Sequence, residues 1–300
     1  MSKAGIHGNI ALCFILFATG AALCLARQQP LTVQQIKGTI YMVKGGAGAN
    51  TGFYIGDKEV MIIDSKMTAD AVKQEIAEIK KLTDKPITRI VLTHSDGDHV
   101  NGLNALPTGL KIYAHPQTKK DMEEAAKSPN TQYLRDYLPN EVCSPCAASK
   151  NSVMGVKLGG EDVSIYHFGP AHTSGDLVVF FPAERVAFIG DLAFVGRDPL
   201  IHRQKGGTSV GYVNTLKSLI ALKAEVFISG HNDPLTSQDL QTLATSIEEK
   251  QNKVKAMIAE GKSLDDIKKA FGLQTAAASS GRTSFPSLID VIYLELTEKK

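Results

Sequence analysis

Two histidines and two aspartates lie within six positions of this chain, in the stretch VLTHSDGDHVNG at residues 91–102. Three more residues of these types occur in loops near the ends of apolar runs, in GPAHTSGD, FIGDLAF and ISGHNDP. The seven side chains are His94, Asp96, Asp98, His99, His172, Asp191 and His231. Imidazole and carboxylate groups are usual ligands of divalent metal ions, and ligand groups converge at strand ends in layered α/β folds. The pattern therefore predicts a metal site.

The number of these side chains suits two metal ions rather than one. Six or seven such groups can hold a pair of ions when one carboxylate is shared between them. Metal binding lowers the pKa of water from ~16 to roughly 7, so a bridging hydroxide is available as a nucleophile at neutral pH. The same ions polarise the bond under attack. The residue types thus favour hydrolytic chemistry.

The four segments, in this order and with these neighbours, resemble the metallo-β-lactamase superfamily, over roughly residues 36 to 260. The pattern of that family is H-x-H-x-D-H after a strand, then a distant His, an Asp in a GD strand end and a His in GH. A single strand-end His or Asp is more often a turn or capping residue. The interpretation therefore depends on all four segments together.

The resemblance implies a role for each residue. A first metal ion would be held by three side chains: His94, Asp96 and His172. A second ion would be held by three others: Asp98, His99 and His231. Asp191 would bridge the two ions, and Asp98 would also orient the nucleophile, which makes both residues catalytic candidates. Asp64, at the end of VMIIDS, matches an acid that the family often places under the site.

The resemblance also implies a fold and a reaction. The fold is an α/β four-layer αβ/βα sandwich, and the reaction is attack by a metal-bridging hydroxide on an ester, lactone or related carbonyl bond. A β-lactamase is an alternative, although Asp191 stands where true metallo-β-lactamases tend to have Cys or Ser. Two further alternatives are a phosphodiesterase and a non-hydrolytic metalloprotein, which would be either a diiron protein or an accessory protein. The expected partner is a small-molecule substrate.

Asp96 departs from the family pattern, which has histidine at this position. A carboxylate is a harder ligand than imidazole and adds a negative charge, and both properties shift the preference from zinc towards manganese or iron. Four histidine ligands remain in the predicted site. We therefore expect two divalent metal ions, with Zn²⁺ as the first expectation and Mn²⁺ or iron as alternatives.

The elements that must position these residues can be read from the apolar pattern. Strands are expected before each of the four segments, and helical spacing or capping residues indicate helices at 68–82, 118–127, 208–222, 236–259 and 263–272. Thr68 is a candidate helix cap. Residues 128–151 contain several prolines and are interpreted as an irregular surface insertion. The apolar segment LIDVIYLEL near the C-terminus is expected to complete the core rather than form a dimer contact.

The N-terminus has the layout of a secretory signal, with Lys3, an uncharged apolar run from Ile10 to Ala26 and then a polar turn. We expect residues 1–26 to be the cleaved signal and residues 27–300 to form one domain, with a helical extension at about 261–300. The protein is then periplasmic or secreted, without stable membrane insertion. Loss of Lys3 lowers the formal net charge from +2 to about +1, which gives no support for nucleic-acid binding. The oligomeric state stays open.

The remaining polar residues fall outside the pattern. In an oxidising compartment Cys143 and Cys146 are expected to form a local disulfide, with free thiols as the alternative. His115 and His167 are expected to be structural. His202 lies in PLIHRQKGG, a loop that could face the site, but contact with substrate is the less favoured interpretation. The basic residues of that region, Arg197, Arg203 and Lys205, are interpreted as surface charges rather than as anchors for an anionic substrate.

Overall fold

Two β-sheets lie face to face at the centre of the molecule. The computed structural model describes residues 30–143, 152–158, 161–273 and 285–298. Over these residues the first sheet has seven strands, which lie in chain order. They are β1 (Thr32–Lys37), β2 (Ile40–Lys44), β3 (Thr51–Ile55), β4 (Val60–Ile63), β5 (Ile87–Val91), β6 (Lys111–Ala114) and β7 (Glu141–Val142). Strands β1 to β4 pair antiparallel, and β4 to β7 pair parallel.

The second sheet has five strands in the order β12-β11-β10-β9-β8. They are β8 (Ser152–Leu158), β9 (Glu161–His167), β10 (Val178–Phe181), β11 (Val186–Gly190) and β12 (Val226–Ser229). The β11–β12 pair is parallel, whereas the other pairs are antiparallel. Both sheets are therefore mixed, and each carries parallel strands whose carboxyl ends share one edge.

Helices follow the strands along the chain. They are α1 (Ala69–Leu82), α2 (Gly97–Val100), α3 (Pro116–Ala125), α4 (Ser209–Ala221), α5 (Ser237–Ala259), α6 (Leu264–Ala270) and α7 (Leu288–Thr297). Side-chain oxygens cap several of them: Thr68 accepts from the backbone N–H of Ala71 at the start of α1, and Ser287 forms a capping box with Asp290 at the start of α7.

Three apolar clusters separate the layers. One lies between the sheets and joins residues of both, such as Met61 of β4 and Val179 of β10. A second covers the outer face of the first sheet with α1 and α3, and a third covers the outer face of the second sheet with α4 to α7. The layer order is helix, sheet, sheet, helix, which confirms the four-layer α/β sandwich expected from the sequence.

Most sequence expectations for the elements are confirmed. The five predicted helices correspond to α1, α3, α4, α5 and α6, and Thr68 is the cap of α1. The prediction of an irregular insertion at 128–151 is wrong in part. Residues Gln132–Tyr137 form a 3-10 helix with Leu134 buried, and β7 extends the first sheet, because Pro129 and Pro139 lie outside these two elements. Residues 144–151 of the predicted insertion lie outside the described residues.

The C-terminal apolar segment forms α7, whose Leu288, Ile289, Val291 and Ile292 are buried in the outer core of the second sheet. Cys143 is buried and disulfide-bonded, whereas Cys146 lies outside the described residues. The expected signal at residues 1–26 also lies outside them. None of the helices that the structure describes combines the length and apolar character needed to span a membrane.

Candidate metal centre

The loop after β5 delivers four of the predicted residues to one edge of the sandwich. Asp96 stands at the N-terminal end of α2, a helix of only one turn that carries Asp98 and His99. The backbone carbonyl of His99 accepts a hydrogen bond from the N–H of Ser65, just after β4, at 2.7 Å. This contact fixes the motif against the end of the neighbouring parallel strand. Asp191 and His231 follow the parallel strands β11 and β12, and His172 lies between β9 and β10.

The first cluster contains His94, Asp96 and His172, with Asp191 beside them. Asp96 Oδ2 is 3.8 Å from His94 Nε2 and 3.2 Å from His172 Nε2. Asp191 Oδ2 is 4.0 Å from His94 Nε2 and 3.9 Å from His172 Nε2. The three residues predicted for a first ion are therefore brought together by two separate segments of the chain, and Asp191 adds a third segment.

The second cluster contains Asp98, His99 and His231. Asp98 Oδ2 is 3.9 Å from His99 Nε2 and 3.3 Å from His231 Nε2. Asp191 also reaches this cluster, since its Oδ1 is 3.2 Å from His99 Nε2 and its Oδ2 is 3.1 Å from His231 Nε2. Asp191 thus lies between the two clusters, in the position expected of a bridging carboxylate.

These distances fit metal ions. Bonds of about 2.1 Å place two ligands of one ion no more than about 4.2 Å apart, and the distances given above fall within that limit. Among the described residues, the buried atoms His94 Nε2, His99 Nε2 and Asp191 Oδ1 have no hydrogen-bond partner. Buried polar atoms without a partner are costly in a folded protein. Their convergence is therefore consistent with two cations as the missing partners.

A second set of hydrogen bonds orients the ring of His99. Asp64 accepts hydrogen bonds from the backbone N–H and the hydroxyl of Thr93, both at 2.7 Å, and its Oδ2 is 2.8 Å from His99 Nδ1. Nδ1–H donation to this carboxylate leaves Nε2 with a lone pair towards the cluster. Asp64 has a φ of 59°, in the left-handed region, so its position beneath the site is held at some backbone cost.

The ring of His172 is oriented in a similar way. Its Nδ1 is 2.8 Å from the backbone carbonyl of Leu200, which can only accept a hydrogen bond. One proton is therefore on Nδ1, and Nε2, which faces Asp96 and Asp191, is the nitrogen left to bind either a metal ion or a second proton. Both rings have the tautomer that metal ligation requires.

The electrostatics of the cluster favour charged carboxylates. Burial alone would raise the pKa of Asp191, but the facing His99 and His231 rings outweigh burial and hold this pKa well below its usual range. Burial would also lower the pKa of His172 and of His231. The hydrogen bond from His172 to Asp96, and those from His231 to Asp191 and Asp98, instead raise each pKa to about 9. The ionised carboxylates thus stabilise positive charge in the cluster, whether it is carried by protonated histidines or by bound metal ions.

Asp96 has neighbours that the sequence interpretation missed. The ammonium of Lys205 donates to Asp96 Oδ1 at 2.7 Å and to the hydroxyl of Ser95 at 3.0 Å. The interpretation of Lys205 as a surface charge is therefore wrong. The extra carboxylate at position 96 called for a compensating cation, but sequence spacing gave no means to choose among the three basic residues of that loop. His202 Nε2 also lies 2.7 Å from Asp96 Oδ2.

The other residues outside the pattern lie in structural positions. His115 accepts a hydrogen bond from the backbone N–H of Gln117 at the start of α3 and stacks on His167, with ring centroids 4.2 Å apart. His167 Nδ1 is 2.9 Å from the carbonyl of Asp176. Arg203 pairs with Glu298 at 2.6 Å, near the end of α7.

A cavity of about 500 Å³ opens onto the two clusters. Its apolar lining is contributed by four side chains: Met67, Phe194, Leu200 and Phe285. Arg197 lies at the same cavity, with its guanidinium 4.2 Å from the centroid of the Phe194 ring. The site therefore offers an apolar wall and a cation next to the metal-binding residues.

Comparison with known proteins agrees with this geometry. A family model for the metallo-beta-lactamase superfamily matches residues 45–231. The metallo-beta-lactamase type 2 of Elizabethkingia meningoseptica is 26% identical over 215 residues, which cover 69% of this chain and 78% of the relative.

Two solved structures show how widely the fold is shared. A metallo-beta-lactamase from Pontibacter korlensis aligns with a TM-score of 0.61 at 17% identity, over 73% of this chain and 99% of that chain. The inverting sec-alkylsulfatase Pisa1 from Pseudomonas sp. aligns with a TM-score of 0.68 at 15% identity, over 89% of this chain and 50% of that chain. This chain thus spans half the length of the alkylsulfatase. The matched family model and the fold together place the chain in the metallo-beta-lactamase superfamily.

Proposed function

We propose that the protein is an exported, dinuclear metal-dependent hydrolase of an ester, a lactone or a related carbonyl bond. The observation that carries the proposal is the position of Asp191 between the two clusters. Its Oδ2 lies 4.0 Å from His94 Nε2 of the first cluster and 3.1 Å from His231 Nε2 of the second, and its Oδ1 lies 3.2 Å from His99 Nε2 of the second. A buried carboxylate shared in this way suits a pair of ions better than a single ion.

Two divalent ions, when bound, supply a water of lowered pKa and polarise the bond under attack. The residues that would hold them are the seven predicted from the sequence. Asp98 lines the cavity and is partly exposed. Burial would raise its pKa, but the facing His231 ring helps to outweigh burial and to lower this pKa, which favours the ionised carboxylate. It can therefore accept a hydrogen bond from the attacking water and orient it towards the substrate.

The side chains that line the cavity suggest how a substrate is oriented in it. Phe194 and Phe285 offer ring faces to an apolar group, and Arg197 can bind an anionic or carbonyl oxygen. Lys205 is already paired with Asp96 and neutralises the charge that this aspartate adds. Because Lys205 offsets the charge of Asp96, this charge shifts the metal preference away from zinc less than the sequence alone suggests. We therefore propose zinc as the metal.

β-Lactam hydrolysis is the second candidate, supported by the similarity to the Elizabethkingia meningoseptica enzyme over 69% of this chain. Asp191 argues for the ester and lactone assignment instead, because a bridging aspartate is not expected in a true metallo-β-lactamase. The resemblance to an alkylsulfatase fold makes sulfate esters a useful further class to test.

The proposal is tested with the zinc-loaded protein on a panel of p-nitrophenyl esters, homoserine lactones, nitrocefin, bis-p-nitrophenyl phosphate and a secondary alkyl sulfate. We expect the highest kcat/KM on an ester or lactone, and loss of at least about 100-fold in Asp98→Asn. Asp233→Asn, on the exposed surface near His231, is the matched control and should retain activity. Preference for nitrocefin would support the second candidate. Absence of turnover on every substrate would contradict a hydrolytic role.

Export is a separate part of the proposal and is supported by the sequence of residues 1–26. Fractionation of cells that express the full chain should place the processed protein in the periplasm or the medium. A full-length protein found only in the cytoplasm would contradict it.

A further inference from the structure

His202 lies outside the family pattern, yet it is directed at the first cluster. Its side chain is 5% exposed, and its Nε2 is 2.7 Å from Asp96 Oδ2. The rings of His202 and His172 are nearly perpendicular, with centroids 4.8 Å apart. Asp96, His172 and His202 each offer a ligand atom, and the three atoms lie within 4.8 Å of one another.

The bonding state of His202 Nε2 matches that of the expected metal ligands. This atom is buried and has no aligned hydrogen-bond partner among the described residues, a property it shares with His94 Nε2 and His99 Nε2. The short distance to Asp96 is thus not an aligned hydrogen bond. Two atoms that approach each other closely without alignment are consistent with both pointing at a third atom between them.

The other nitrogen of His202 can be satisfied in a way that frees Nε2. Its Nδ1 is 2.9 Å from the side-chain amide of Gln204. A half-turn of that amide exchanges its oxygen and nitrogen, so Gln204 can present a carbonyl acceptor to the ring. Nδ1–H then donates to Gln204, and Nε2 directs a lone pair at the first cluster.

The position of His202 can also compensate for the aspartate at position 96, where the family pattern has histidine. The family pattern has an imidazole where this chain has a carboxylate, and His202 places an imidazole within 2.7 Å of that carboxylate. Lys205, three residues later in the same loop, neutralises the added charge. One loop therefore supplies both properties that the change to aspartate removed, a nitrogen ligand and the original net charge.

We propose that His202 is an additional ligand of the first metal ion, beside His94, Asp96 and His172. The inference rests on the metal centre of the proposed function. A competing arrangement is a positioning role, in which His202 Nε2–H donates to Asp96 and never touches the ion. Loss of metal affinity in a His202 variant would not separate the two, because outer partners of metal ligands also affect affinity. Direct evidence of a bond is required.

The test is cobalt substitution of His202→Cys. A thiolate bound to Co²⁺ gives a sulfur-to-metal charge-transfer band in the near ultraviolet, and we expect this band in the variant but not in the wild type. Gln204→Cys is the matched control, since it places a thiol in the same loop and cavity, and it should give no band. Full cobalt loading of His202→Cys without the band would overturn the inference.

A second measurement uses the wild-type protein and so does not depend on the folding of a variant. In wild-type protein loaded with cadmium-113 and labelled with nitrogen-15 histidine, five imidazoles should show cadmium–nitrogen coupling if His202 is a ligand. Four coupled imidazoles would overturn the inference and leave the proposed two-metal centre intact. A wild-type protein that binds neither cobalt nor cadmium would overturn both proposals, so the two failures can be distinguished.

Discussion

Asp64 controls the geometry of the second cluster although it is not expected to touch a metal ion. Its two oxygens receive three hydrogen bonds, from the backbone and hydroxyl of Thr93 and from His99 Nδ1. The first two anchor the carboxylate, and the third fixes the ring and tautomer of His99. The residue therefore acts through His99 as a positioning residue.

The first prediction concerns Asp64→Asn. An amide can direct an N–H at His99 Nδ1, which favours the wrong tautomer and removes the lone pair from Nε2. We expect metal affinity to fall by about 10–100-fold, as measured by competition with a chromophoric chelator. Asp70→Asn, in the exposed first turn of α1, is the control and should bind metal as the wild type does. Unchanged affinity in Asp64→Asn would contradict this role.

Gly230 makes room for the same cluster. A Cβ at this position would lie 2.2 Å from Asp191 Oδ1 and 2.8 Å from His99 Cε1. Both atoms belong to residues whose positions are fixed by other contacts, so neither can move freely.

The second prediction follows from this crowding. Gly230→Ala should displace Asp191 or His99 and reduce the metal bound after dialysis by at least about one ion per chain. Gly155→Ala is the matched control, because a Cβ there meets nothing within 4 Å. Metal analysis of both variants checks the expectation, and full occupancy in Gly230→Ala would disprove it.

At the scale of elements, α1 and the residue before it support the site through two buried ionisable side chains, Lys66 and Glu75. Lys66, just before the helix, donates to the carbonyls of Val43 and Ala49 at 3.0 and 2.7 Å. Val43 belongs to β2 and Ala49 to the loop that follows it, where the Ala49 N–H donates to the carbonyl of Asp98. Glu75 of α1 accepts a hydrogen bond from Thr51 at 2.9 Å, and when its carboxyl group is ionised its charge opposes the effect of burial on the pKa of Lys66. Burial lowers the pKa of Lys66 to about 8 and raises that of Glu75 to about 7.

The third prediction is the pH dependence of this pair. Glu75 holds its proton in the folded state up to about pH 7, whereas an unfolded glutamate loses it near its ordinary pKa of 4.5. Folding therefore takes up a proton in this window, and the free energy of unfolding falls as pH rises, by at most about 1.4 kcal/mol per pH unit. Glu75→Gln should lose this slope and gain stability relative to the wild type between pH 5 and about 7.

Urea unfolding of the metal-free proteins at several pH values measures the effect. Glu78→Gln, on the exposed side of α1, is the control and should keep the slope of the wild type. A constant difference between wild type and Glu75→Gln across this pH range would show that Glu75 does not titrate there.

The C-terminal helix α7 belongs to the core of the second sheet. Ile292 is 1% exposed and packs in the same cluster as residues of α4 and α5. Glu295 of α7 also accepts a hydrogen bond from the backbone N–H of Ser209 at 2.6 Å, at the start of α4. The helix therefore stabilises the layer that carries the loop with His202.

The fourth prediction is that Ile292→Ala lowers the free energy of unfolding by about 2–4 kcal/mol, because it removes buried methylenes and leaves a cavity. Leu296→Ala should change it by less than about 0.5 kcal/mol, since Leu296 is 46% exposed. Denaturant unfolding of the metal-free forms compares the two. Equal effects would mean that α7 is not part of the folded core.

For the whole molecule, the proposed metal ligands come from both sheets and meet at one edge. Residues 94–99 follow β5 of the first sheet, whereas Asp191 and His231 follow β11 and β12 of the second. The apolar cluster between the sheets fixes their relative position. Formation of the site therefore requires the complete sandwich, and metal binding should stabilise it as a unit.

The sequence was sufficient to predict the sandwich and the seven residues that meet in it. The apolar runs predicted the strands, and the polar loops after these runs predicted the side chains of the site. The two patterns reinforce each other, because a ligand-bearing loop is expected directly after a strand. The surroundings of Asp96 could not be predicted in the same way. Its contacts to His202 and Lys205 join residues more than a hundred positions apart, through a loop without regular periodicity. Contacts of this kind depend on tertiary packing rather than local pattern.

The short 3-10 helix at Gln132–Tyr137 was missed for a related reason. Its proline-rich neighbours suggest irregular chain, and only packing against the outer face of the first sheet buries Leu134. The central claim, that Asp191 joins two metal ions held by the surrounding side chains, does not depend on these details.

The most direct test of that claim is the metal-to-protein ratio of the wild type and of Asp191→Ala, determined by elemental analysis after zinc loading and dialysis. The account predicts two ions per chain in the wild type and at most one in the variant, because each cluster loses a shared ligand. A wild-type ratio of one or less, or two ions retained by Asp191→Ala, would contradict it.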